Sequence, residues 1–140
     1  MTYSAPETKI AICLGARLRD LVLSPVPQIA WPNVKFTPPA TTYLRVDNLR
    51  NATDRLFIGN DDPHLHQGIY QVTVIAPLLI GEDAVIDTAG LIANHFWAMP
   101  RLPFAGGEVR IQKRPDVISL KDDANARWTA PVSIYWNCFI

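Results

Sequence analysis

GIYQVTVIAP, residues 68–77, alternates along its length: Tyr70, Val72, Val74 and Ala76 fall on one side of an extended chain, Ile69, Gln71, Thr73 and Ile75 on the other. Successive side chains of a strand point to opposite faces of a sheet, so the spacing predicts a strand with a buried face. Pro77 lacks the amide that would continue a ladder, and the strand ends there. Upstream, TYLRVDNL (42–49) sets Leu44 and Val46 against Tyr43, Arg45 and Asp47, a second strand with the same period. Downstream, EVRIQKRP (108–115) turns Val109 and Ile111 inward against Glu108, Arg110 and Gln112, and WTAPVSIYWNCF (128–139) places Val132, Ile134 and Trp136 on one face. A short VISL piece and a polar KDDANAR loop, with Asp122 and Asp123 as a hydrophilic turn, connect these last two.

Two segments change to the helical period. In SAPETKIAICLGARLRDLVL (4–23), Ser4 and Glu7 have capping-box spacing and Pro6 suits a first turn. Ile10, Ala11, Leu14, Leu18, Leu21 and Val22 then share one arc of the wheel, with Arg17, Arg19 and Asp20 outside it. Ile12 and Leu23 project to the opposite side, where apolar surface suits a neighbouring chain. The second helix is expected from Asp83 to Trp97. Glu82 and Asp83 sit at its favourable N-terminus, Val85, Ile86, Ala89, Ile92, Ala93, Phe96 and Trp97 make its apolar arc, and Asp87, Asn94 and His95 its wet side. Between the first helix and the strand at 42–49, five prolines in SPVPQIAWPNVKFTPPA leave room only for a short strand near Ile29 to Trp31. Residues 51–67, RNATDRLFIGNDDPHLHQ with its first arginine, read as a long excursion around a small apolar RLFIG strand. The order helix, strands, helix, strands predicts an α+β domain spanning residues 1–140, a mostly antiparallel sheet with both helices packed on one face.

Composition narrows the function. At 140 residues the chain has enough length for one proper core. Thirteen basic and thirteen acidic residues cancel, so no overall field draws the protein to nucleic acid or anionic lipid. The N-terminus does not read as a secretory signal, and every apolar run breaks well short of the roughly 18 residues of a membrane span, which places the chain in a cytoplasm. Cys13 and Cys138 form no CxxC pair and read as reduced, partly buried thiols. Phosphate loop, nucleophile elbow and HExxH are all absent from the sequence, and the paired glycines of AGGE (105–108) read as a turn. NDDPHLHQ, residues 60–67, carries the remaining chemistry. Asp61, Asp62, His64 and His66 could supply oxygen and nitrogen ligands to a divalent ion, yet a lone HxH without a third placed ligand and a second shell reads first as a solvated loop.

Several stretches together resemble the tail terminator or tail completion proteins of tailed phages and prophages. They are IAWPNVKFTPPATTYLRV (29–46), GIYQVTVIAP (68–77), LIANHF (91–96) and APVSIYW (130–136). Trp31, Asn33, Phe36, Pro38, Pro39, Tyr43 and Leu44, followed by Gly68, Tyr70, Gln71 and Val72, carry most of the resemblance. The chain departs from it before Gly68, where DDPHLH replaces a more basic stretch, so no role resting on positive charge is carried over there. The resemblance implies a sheet-and-helix subunit that closes as a hexameric ring on the finished tail tube, stops tube growth and presents a surface to the head connector. Its implied partners are further copies of itself, the major tail tube protein and the head–tail connector, with no membrane and no sequence-specific nucleic acid, phage DNA passing through the ring. The implied place is the virion tail, after synthesis in the host cytoplasm, and the implied activity is assembly, with no cofactor and no bond made or broken. On that reading Asp54, Arg55, Asp61, Asp62, His64 and His66 in the 51–67 loop are contact residues, along with Ile12 and Leu23. The alternative is a small metal-binding module or hydrolase using Asp61, His64 and His66.

Overall fold

A computed structural model describes residues 3–56, 58, 59, 61–122 and 126–140. In chain order the elements are α1 (Pro6–Arg19), β1 (Gln28–Ala30), β2 (Tyr43–Arg50), β3 (Leu65–Pro77), α2 (Glu82–Ala98), β4 (Arg101–Phe104), β5 (Gly107–Ile111), β6 (Asp116–Val117), β7 (Leu120–Asp122) and β8 (Arg127–Phe139). The class is α+β, and the curled sheet is antiparallel at every described pairing except β1 on β2.

Two 13-residue strands form its axis. β3 and β8 pair along their whole length, from Leu65 opposite Phe139 to Pro77 opposite Arg127. β2 flanks β3, from Tyr43 opposite Ile75 to Arg50 opposite Gly68. The far side of β8 is filled in succession by β5 at Trp136–Asn137, β6 at Val132–Ser133 and β7 at Arg127–Thr129. The gap between β6 and β7, at Ile118 and Ser119, falls beside Pro131, which has no amide to donate. Pro131 still accepts there, from the Ile118 amide at 3.1 Å.

The alternation expected in β3 and β8 is the one that packs. Tyr70, Val72, Val74 and Ala76 join Val132, Ile134 and Trp136, Leu44 and Val46, and Val109 and Ile111 in one buried cluster. Ile10, Leu14 and Leu18 of α1 and Val85, Ala89, Ile92, Ala93 and Phe96 of α2 complete it. Gly68 sits where β2, β3 and the Trp136 ring converge. A Cβ there would lie 2.6 Å from the Leu49 carbonyl oxygen and 3.1 Å from Trp136, so only glycine lets the strands close.

Several local expectations are corrected. Ser4 does not cap α1. Proline at the first helical position makes Ala5 the cap, and no side chain bonds the helix end. The helix stops at Arg19; Leu21 still packs against the core, but Val22 is 85% exposed instead of buried. Ile86 and Trp97, at the margins of the α2 arc, are 37% and 42% exposed, because the sheet covers a narrower stripe than the arc. α2 is one residue longer at each end than expected, and β1 lies one residue earlier. β3 begins at Leu65, so His66 and Gln67 belong to the sheet and not to a loop. Of RLFIG, the residues Arg55, Leu56, Ile58 and Gly59 form no strand, while Phe57 lies outside the described residues; the pairing falls instead on Asp54, bridged to Leu65. Lys121 and Asp122 end β7 where a polar turn was expected, and Asp123 lies outside the described residues.

Candidate functional site

The ribbon of β3 and β8 has two ends. At one, Asn51, Asp54 and His64 are drawn onto the sheet. Asn51 N donates to Gln67 O at 3.0 Å, Asp54 and Leu65 exchange main-chain bonds of 2.9 and 2.8 Å, and His64 and Ile140 exchange two of 3.1 Å. Asp54 Oδ2 accepts from Gln67 Nε2 at 3.3 Å, Arg55 donates to the Ile58 carbonyl, and Asp62 Oδ2 accepts from the Gly59 amide at 3.0 Å, a small turn closed by its own side chain.

The two histidines are therefore part of a ladder. His66, opposite Cys138, is only 7% exposed, and its Nδ1 lies 3.4 Å from Thr53 Oγ1. His64 is half-buried, while Asp61 and Asp62 are exposed. Among the described residues no three of His, Cys, Asp and Glu stand together as a metal would require. The structure thus brings His64 and His66 onto one strand edge, two rungs apart, and does not join them to Asp61 in a ligand set. The thiols are equally quiet. Burial raises Cys13 above the usual range, and burial, with Cys13 and Glu108 adding to it, pushes Cys138 up to about 11, so both are protonated at neutral pH.

The other end of the ribbon is open and apolar. After Pro77 the chain turns through Leu78, Leu79 and Ile80 before Gly81 caps α2. Leu79 is fully exposed and held at φ 69°, in the left-handed region that costs a side chain about 1–2 kcal/mol; Ile80 is half exposed. Across the molecule, α1 and β4 enclose a groove of about 720 Å³ lined mainly by apolar atoms, among them those of Ile12, Ala16, Met99, Leu102 and Phe104. Ile12, half exposed, lies in this groove, as expected for an outward residue of α1. Leu23, past the helix end, instead borders a small cavity with Leu18, Ile29 and Leu44.

His95 was expected on the wet side of α2. It lies partly buried against α1, where its Nε2 donates to the Arg17 carbonyl and Arg17 Nη2 donates to the His95 carbonyl, each at 2.6 Å. Burial, the largest influence, holds its pKa below the usual value. The reciprocal pair ties α1 to α2 beside the groove, which Arg17 also lines. Sequence periodicity could not show it, because the partner is 78 residues away. The exposed turn had a readable signal: three consecutive apolar residues between a strand-ending proline and a glycine.

Comparison with known proteins adds a family to this geometry. No curated protein matches the chain. One solved structure is similar over 96% of both chains, with 26% identity and a TM-score of 0.77. The family model described as phage tail terminator protein matches residues 9–136, which take in all of the sheet but the last three residues of β8, all of α2 and most of α1. The chain therefore belongs to the phage tail terminator family, a structural component of the phage tail.

Proposed function

We propose that this protein caps the phage tail tube as a hexameric ring, ends tube growth and offers the surface on which the head connector seats. The family match over residues 9–136 carries this reading. The physical logic is one of surfaces. A polymer stops when the added subunit fits the exposed face of the tube on one side and does not reproduce that face on the other. The exposed turn at 78–80 and the groove along α1 suit such work, since apolar surface of this kind is usually buried in a partner. In this reading the two helices share one face of the sheet, a placement supported by their common buried cluster with β2, β3 and β8. The ring forms from copies made in the host cytoplasm, contacts the major tail tube protein below and the connector above, and lets DNA pass along its axis. The loop residues Asp54, Arg55, Asp61 and Asp62 are offered as contacts to those neighbours, being exposed at one end of the ribbon. No bond is made or broken.

Electron microscopy of tail tubes assembled with and without the protein tests the proposal. With it, tubes carry a terminal ring and stop at a uniform length; an unchanged length distribution would count against capping.

A further inference from the structure

We infer that neighbouring copies join head to tail, with the Leu78–Ile80 turn of one seated in the groove between α1 and β4 of the next. The inference rests on the ring reading and names its contact. A plug and a socket at two different places on one chain generate a repeating, heterologous contact, and such a contact closes into a ring when the rotation between copies allows it. Both halves are present. The plug is an apolar run in which Leu79 is fully outward, Ile80 half exposed and Leu78 half-buried, and the socket is an apolar groove of about 720 Å³ that includes the half-exposed Ile12.

They cannot satisfy each other within one molecule. The plug directly precedes α2, and Met99, a wall of the socket, directly follows it. Seventeen helical residues separate them by about 25 Å. Charge also matches across the proposed contact. Glu82 and Asp83, exposed in the first turn of α2 beside the plug, make no side-chain hydrogen bond or ion pair among the described residues, and neither does Lys9 on the rim of the socket. The socket is lined by Lys9, Arg17 and Asp20, and the plug lies beside Glu82, Asp83 and Lys121, so seating the plug joins a net negative surface to a net positive one, which favours this orientation over plug against plug, where two net negative surfaces meet. The left-handed Leu79 follows the same logic: a leucine where glycine is easier keeps a side chain available to fill the partner.

The test places thiols at the two halves in a Cys13→Ser background, leaving Cys138, which is fully buried, out of reach. The full-length chain carrying Leu79→Cys and Ile12→Cys is treated with a short bismaleimide, at high concentration and on tail tubes, and resolved by denaturing electrophoresis. A ladder ending at the ring size is expected, whereas a mixture of the two single-cysteine chains should stop at dimers. Lys9→Glu should lower the yield several-fold, and Glu82→Lys with Asp83→Lys in the same chain should restore it. Dimers from either single-cysteine chain alone, or the absence of products while rings are still seen on tubes, would overturn this contact and leave the ring standing. Absence of both rings and products would remove the ring and the contact together.

Discussion

The two ends of the β3–β8 ribbon invert what their residue types suggest. At the Leu65–Phe139 end the sequence is polar, with Asp61, Asp62, His64 and His66 in six positions, yet the chain is pulled in and His66 is buried. At the Pro77–Arg127 end the sequence reads Leu78, Leu79, Ile80, material for a core, and Leu79 and Ile80 stand in solvent. The difference lies in what each end has to pair with. The first has the last residues of β8 and Asp54 within main-chain reach, and those bonds drag polar side chains onto the sheet. The second passes directly into α2, so no further rungs hold it. Polarity at a strand end reports composition, and the ladder decides burial.

Trp136→Ala should damage the closed end most. It empties the largest fully buried side chain, beside Gly68, and should cost about 3–5 kcal/mol in urea unfolding. Retention of full stability would mean that the closed end is not the anchor described. Gly68→Ala acts at the same place by crowding, since its Cβ meets backbone that cannot swing aside; about 1–3 kcal/mol is expected in the same measurement. Leu79→Gly, at the open end, should leave stability unchanged or raise it by up to about 1 kcal/mol, because relief of the left-handed strain outweighs or matches the added chain entropy. The same variant should lose capping of tail tubes in electron micrographs, which separates a strained functional turn from an inert one. The smallest effect concerns the hydrogen-bonded helix pair beside the groove. His95 has a folded-state pKa below its unfolded value, so its contribution is complete above the unfolded pKa and is lost as pH falls through that value toward the folded one. Melting temperatures taken from pH 7.5 down to 5.5 should fall, and His95→Gln should flatten part of that slope. An identical slope in the variant would show that the inter-helix bond carries no pH dependence.

Much of this architecture was readable beforehand. The interior of β3 was legible from Tyr70 to Ala76 because one period persists over several residues and one face of it is wholly apolar. Its start was not, since His66 and Gln67 look like loop and become strand only through Cys138 and Asn137 opposite them. The core stripe of α1 was legible at Ile10, Leu14 and Leu18, but its end was overrun: Leu21 and Val22 continue the pattern after the helix has stopped. His95 was misplaced because a wheel assigns faces and knows nothing of a second helix lying beside one of them. Ile12 was legible as outward from its position opposite the core arc, and a visible apolar run between proline and glycine marks Leu78 to Ile80. The family resemblance, carried by Trp31 to Leu44 and Gly68 to Val72, was legible as well, since those residues lie on the β1–β3 side of the sheet and in the connection that feeds it.

By itself the sequence determined the two helices and the interiors of the long strands and which side of each is apolar, since these are local periods of the backbone. Tertiary structure alone decided that His66 is buried and Leu79 is not, that three short strands share one edge of β8, and that α1 and β4 leave a groove between them. Each of these depends on hydrogen bonds and contacts between residues far apart in the chain, which no local period encodes.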